Sequence, residues 1–259
     1  MKYFDLAKEK LSSLWPMWLV IMLVATWSIY IQDGQINRDG LLYLKQAYLI
    51  AEGSWKEGLG IYPWPFFSIL IGVFHKITNL HLQVVAHGVD LAFFGIAALF
   101  YLKTLQLIYN KEKQILFYGG IILLSFIPIM DDYVGMVLRD HGLWAGCMMG
   151  TYFYFKNLKE YSFRGSMLWQ FGFLFAGLFR PEGLVILALL PLWNFIQNSS
   201  QKLKKLFLDY SLIILLALVS LFAILLLNID LMSVISSSRL TDFVDRLMLF
   251  LSRLSNPLP

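Results

Sequence analysis

Residues 82–107 read LQVVAHGVDLAFFGIAALFYLKTLQL, and this stretch decides the fold class. Its only charged side chains are Asp90 and Lys103, so it has no wet face, and it is far too long for a strand. A helix crossing the roughly 30 Å hydrocarbon core of a bilayer needs about 20 mostly apolar residues, and this run supplies them. Working outward from it, similar runs occupy 14–31, 115–130, 143–155, 167–179, 184–196 and 206–227. The sequence predicts an all-α polytopic membrane protein with about seven transmembrane helices over residues 1–228, followed by an amphipathic tail over 229–259. The first run lacks a small-x-small cleavage site and reads as an uncleaved anchor.

Composition agrees. The 259 residues are 58% hydrophobic, 16% aromatic and only 15% charged, with a mean hydropathy of +0.65. A soluble domain carries about 25% charged residues, so the apolar excess must face something other than water. This excludes a disordered chain and an ordinary soluble enzyme. The lone Cys147 excludes an intrachain disulfide. The net charge of +4 gives no nucleic-acid signal, because the cations are placed by topology. Lys2, Lys8 and Lys10, then Lys103, Lys111 and Lys113, then Lys156, Lys159 and Arg164, then Lys202, Lys204 and Lys205 fall in or beside every second segment between the runs. Those 12 of the 21 basic residues share one side if seven spans start from a cytoplasmic N-terminus, as the retention of cations on that side requires.

The other side carries Asp33, Asp39, Glu52, Glu57, Asp131, Asp132, Asp140, Glu182 and all four histidines. Between the first two spans, residues 39–50 and 65–74 have apolar side chains at helical spacing but are too short to cross. They are expected to be two helices lying in the outer interface, with Asp39 capping the first. In the tail, Leu240, Phe243, Leu247, Phe250 and Leu254 oppose Asp242, Arg246 and Arg253, which also fits an interfacial helix.

Ionisable side chains at a membrane edge are costly, so each is a functional candidate. Three groups stand out: Asn37-Arg38-Asp39-Gly40; the 131–141 segment with Asp131, Asp132, Arg139, Asp140 and His141; and Arg180-Pro181-Glu182-Gly183. The first reads equally as a cap or a catalyst. The second exceeds what a turn requires. The third lies between two short apolar runs, which would leave Arg180 and Glu182 below the headgroups unless a wet cavity reaches them. His87 and Asp90, three apart, could share a helix face and hold a metal. There is no glycine-rich phosphate loop, no Cys/His zinc spacing and no Gly-x-Ser-x-Gly elbow.

These motifs together resemble a family. Asp39-Gly40, Tyr43-Leu44 and Ala47 match an outward Asp-Gly-x-x-Tyr-Leu-x-x-Ala, and Tyr62-Pro63-Trp64-Pro65 matches a Tyr-Pro-x-Pro entry to a second interfacial helix. Arg139-Asp140 opens the fourth span, and Arg180-Pro181-Glu182-Gly183 joins the fifth and sixth. In order and spacing these resemble the C-fold glycosyltransferases that use polyprenyl-phosphate sugars, closest to the protein mannosyltransferase and lipid A aminoarabinose transferase branch. The chain departs from the lipid A branch at Ile61-Tyr62, where those enzymes often carry Glu-Lys.

The resemblance implies sugar transfer to a lipid, glycan or protein acceptor on the outer face of a membrane, in bacteria the inner membrane. A lipid phosphate is a ready leaving group, so its departure needs charge neutralisation, while the acceptor needs a base. By resemblance and position Asp39 is the base, and Arg139 and Arg180 are the donor-phosphate ligands. Asp131, Asp132, Asp140, His141 and Glu182 are expected to orient the acceptor or hold a divalent cation. Expected partners are the polyprenyl-phosphate sugar, membrane lipids and, given the short chain, a further membrane protein. A lipid-linked sugar flippase and a silent assembly subunit are the alternatives.

Overall fold

The computed structural model describes residues 13–32, 36–62, 64–109, 113–129, 135–197 and 207–215. These residues are helical, with connecting turns and no strand among them. Among the described residues of 1–210 the helices are α1 (Leu14–Ile31), α2 (Arg38–Ala51), α3 (Trp55–Ile61), α4 (Phe66–Thr78), α5 (Leu82–Ile108), α6 (Lys113–Ile129), α7 (Asp140–Lys159), α8 (Phe163–Phe179) and α9 (Glu182–Gln197). Residues 211–259 form a separate unit, of which 211–215 are described and helical.

Six of the predicted apolar runs coincide with helices. Residues 14–31 are reproduced, 82–107 gains one residue, and 143–155 proves to be the core of the longer α7, because Asp140 and His141 start it and Lys156 and Lys159 close it. Lysines in a last turn favour the negative end of the helix dipole. Among the described residues two helices, α1 and α5, are long and apolar enough to cross a membrane. The apolar stretches of α4, α6 and α9 are shorter. The seventh run lies mostly outside the described residues, as do the tail and the 131–134 segment. Two helices occupy the predicted interfacial stretches, and α3 adds a third that sequence spacing did not reveal.

Asn37, rather than Asp39, is the N-cap of α2, its side-chain oxygen accepting the Gly40 N–H at 3.0 Å. The expected Asp39 cap is therefore corrected: Asp39 sits inside the first turn, favoured there by the dipole alone. Gln46 of α2 donates to the carbonyls of Gly58 and Tyr62, both at 2.9 Å, which ties down α3. Arg180 stops α8 because the residue before a proline is driven out of the helical region, and it is extended at φ −149°, ψ 143°.

Helix α5, about 40 Å long at 1.5 Å per residue, serves two cores. Toward its C-terminus Phe94, Ala98 and Leu102 pack on Met17 and Ile21 of α1 and Leu116 of α6. Toward its N-terminus Val85, Ala86 and Val89 pack with Tyr43 and Ala47 of α2, Phe67 and Ile71 of α4, and Phe179. The second core holds the charged ends of α2, α7 and α8 together. Helices α7 and α8 touch backbone to backbone: a Cβ on Gly146 would lie 2.5 Å from the Ala176 nitrogen, and one on Gly172 would lie 2.5 Å from the Gly150 Cα.

Candidate functional site

Phe179 is fully buried under Phe66, Phe67 and Phe93, and the chain leaves this aromatic cluster directly into Arg180. Arg180 pairs with Asp140 through Nη1 and with Glu182 through Nη2, the latter at 2.8 Å. Partial burial works against the Arg180 charge, but the hydrogen bonds and charges of Asp140 and Glu182 outweigh it and hold the guanidinium above its ordinary value. Partial burial likewise pushes the Glu182 carboxyl up, yet its own backbone N–H and the bond and charge of Arg180 pull it below the usual carboxylate range. The expected role of Arg180 as an open phosphate ligand is thereby changed, because two carboxylates already occupy its outer nitrogens.

Arg139 is the freer cation. One nitrogen donates to the Phe179 carbonyl at 3.2 Å, and the guanidinium carbon lies 4.9 Å from the centre of the Tyr62 ring. Among the described residues it forms no ion pair. Of its five N–H donors, four have no hydrogen-bond partner among the described residues, and the ring beneath fixes the plane of the fork.

Tyr62 meets Tyr43 edge-on at 5.7 Å. Burial pushes the Tyr43 hydroxyl up to about 12; Arg139 pulls it down, while Tyr62, Asp39 and Asp140 add to the rise. Tyr43 thus lies within electrostatic reach of Asp39, Arg139 and Asp140 together, so residues a hundred positions apart share one end of the helices. Asp39 itself is exposed and carries no side-chain hydrogen bond among the described residues.

His141 is not at this mouth. It is 1% exposed, with Nδ1 3.1 Å from Asp90 Oδ1 and 3.2 Å from the Leu138 carbonyl. The first turn of α7 faces α5 there, which removes His141 from the expected acceptor or cation set. The same contact corrects the expected His87–Asp90 pair, because the Asp90 carboxylate turns to α7. Asp131 and Asp132 lie outside the described residues. Among the described residues no three His, Cys, Asp or Glu side chains converge as metal ligands. A separate cavity of about 280 Å³ between α5, α6 and α7, walled by Phe94, Tyr101, Leu123, Ile127 and Trp144, carries none of these charges.

Sequence reading pairs Asp90 with His87 rather than with His141, and it gives Tyr43 and Tyr62 no role of their own in this region. A lone carboxylate inside a long apolar run is a usable signal for Asp90. The two tyrosines lie in the quoted motifs, whose spacing assigns them no contact with Arg139.

Comparison of the chain with known protein families, curated proteins and solved structures gave no match. The functional reading therefore rests on the geometry and on the motif resemblance.

Proposed function

We propose that this chain is an integral membrane glycosyltransferase that moves a sugar from a polyprenyl-phosphate donor to an acceptor on the outer face of a seven-span bundle. The observation that carries the reading is Arg139: a planar cation resting on the Tyr62 ring, without a carboxylate partner among the described residues, and within electrostatic reach of Tyr43 as is the exposed Asp39. Guanidinium matches phosphate oxygens in a bidentate fork. In this reading Asp39 takes the proton from the acceptor hydroxyl or amine as that atom attacks the anomeric carbon. The bond from that carbon to the phosphate oxygen breaks, and Arg139 neutralises the charge left on the departing polyprenyl phosphate. Arg180, held by Asp140 and Glu182, shapes the wall of the mouth and sets the field Arg139 sits in.

The test is direct. Purified protein given a polyprenyl-phosphate sugar and a hydroxyl or amine acceptor is expected to release polyprenyl phosphate; no release and no donor binding would remove the proposal. Arg139→Lys is expected to weaken polyprenyl-phosphate binding by about 1.5–3 kcal/mol, because a point charge cannot reproduce a charge-assisted fork. Unchanged affinity would take Arg139 out of the site.

The proposed orientation follows the basic side chains and has its own check. In a Cys147→Ser background, Glu52→Cys is expected to react with an impermeant maleimide in intact cells, and Glu160→Cys is not. Both positions are exposed, so accessibility within the fold does not bias the comparison. Labelling at 160 from outside would invert the topology.

A further inference from the structure

We infer that Asp90 is a positioning residue that sets the place of Arg139 and Asp140 by gripping the backbone and side chain on either side of them; the functional part of this inference rests on Arg139 being the donor-phosphate ligand. Residues 138–141 supply both of its partners. Asp90 Oδ2 accepts the Leu138 N–H at 3.2 Å, and Oδ1 accepts from His141 Nδ1 at 3.1 Å. Leu138 and His141 bracket Arg139 and Asp140, so one carboxylate on α5 fixes both ends of the segment that presents them.

The chemistry of the pair is defined by its neighbours. Two acceptors, Asp90 Oδ1 and the Leu138 carbonyl, face His141 Nδ1, so that nitrogen carries a proton. Phe94 and Trp144 stand edge-on to the imidazole, at 6.3 and 5.1 Å between ring centres, and lock its plane. Its Nε2 is buried and has no partner among the described residues. Since both Asp90 and His141 are 1% exposed, neither reaches an acceptor molecule, and the pair resembles a base with its orienting carboxylate only in outline. What it does is hold. A carboxylate buried in a long apolar helix is costly unless its oxygens are satisfied, and both are satisfied by the segment that carries Arg139.

Asp90→Asn is the discriminating variant. Its amide keeps shape and volume, but one oxygen cannot serve both donors, and whichever way it turns, an N–H₂ group faces either the Leu138 N–H or the protonated Nδ1. Measured on the full chain in detergent, amide hydrogen exchange over residues 138–143 is expected to accelerate, with helices distant from α7 unchanged. Binding of a polyprenyl phosphate is expected to weaken roughly 10- to 100-fold, the effect of removing a single charge-assisted hydrogen bond. The double variant Asp90→Asn with Arg139→Lys should bind no more weakly than Arg139→Lys alone, because Asp90 acts through Arg139. Unchanged exchange over 138–143, or effects that multiply in the double variant, would overturn the inference. Should Asp90→Asn fail to fold, His141→Gln, which leaves the Asp90–Leu138 bond in place, carries the same exchange and binding measurements. If the unmodified protein binds no polyprenyl phosphate, the proposed function fails while the exchange result alone decides whether Asp90 holds the segment.

Discussion

Asp39→Asn is expected to leave the protein folded and its affinity for polyprenyl phosphate unchanged while cutting sugar transfer by about 10²-fold or more, the usual size of a general-base contribution. The structure sharpens this test. Had Asp39 capped α2, its loss would have been felt in stability as well as in activity. The cap belongs to Asn37, which accepts the Gly40 N–H, and Asp39 is exposed with no side-chain hydrogen bond among the described residues. Asparagine keeps the size and most of the polarity at this position, and the loss of a charge in the first helical turn costs only about 0.3–1 kcal/mol. Expression and melting should therefore stay close to those of the unmodified protein. A fully active Asp39→Asn enzyme would end the proposed mechanism, and a variant that lost donor binding in parallel would move Asp39 from base to ligand.

Most of the helical framework was legible because apolar length is a coarse signal that tertiary packing does not overwrite. Residues 14–31 and the long α5 announce themselves by hydropathy alone. The ends were less legible where polar residues are taken into helices: Asp140 and His141 look like loop from their composition, but α7 begins with them because His141 finds Asp90 across the helix interface. Capping misled for a similar reason, since Asn37 and Asp39 are both good caps and only the backbone geometry distinguishes them. Of the candidate site, the common electrostatic reach of Asp39, Arg139 and Asp140 on Tyr43 agrees with the one-sided placement expected from the sequence. Their unequal engagement does not follow from it. That Arg180 is held by two carboxylates while Arg139 rests on Tyr62 depends on side-chain placement between residues distant in the chain, Arg180 with Asp140 and Arg139 with Tyr62, for which no spacing rule exists. The isolated Asp90 in an apolar run carried the warning that something polar had to meet it, but not the name of its partner.

The close contact of α7 with α8 makes Gly146 a position where a very small change in sequence should do large structural damage. A methyl group at Gly146 would stand 2.5 Å from the Ala176 nitrogen and 2.7 Å from its Cα, both backbone atoms of α8 that cannot rotate away. Replacing a helical glycine by alanine ordinarily favours the helix by about 0.8–1.0 kcal/mol. Here the clash must be relieved by moving whole helices apart, and overpacking of this kind costs about 1–3 kcal/mol and more for larger side chains. Gly146→Ala is thus expected to lower the melting temperature in detergent, and Gly146→Leu to lower it further, at roughly 2–4 °C per kcal/mol for a unit of this size. The damage should reach the site, because Gly146 lies within two turns of Asp140 on α7 while Ala176 lies one turn before Arg180 on α8, and separating them pulls the Asp140–Arg180 pair apart. Gly88 supplies the control: it sits exposed on α5, and a Cβ there meets nothing within 4 Å. Gly88→Ala should be neutral or slightly stabilising. Equal melting shifts for the two alanine variants would show that α7 and α8 do not meet at Gly146, and with that the arrangement bringing Arg139 beside Arg180 would fall.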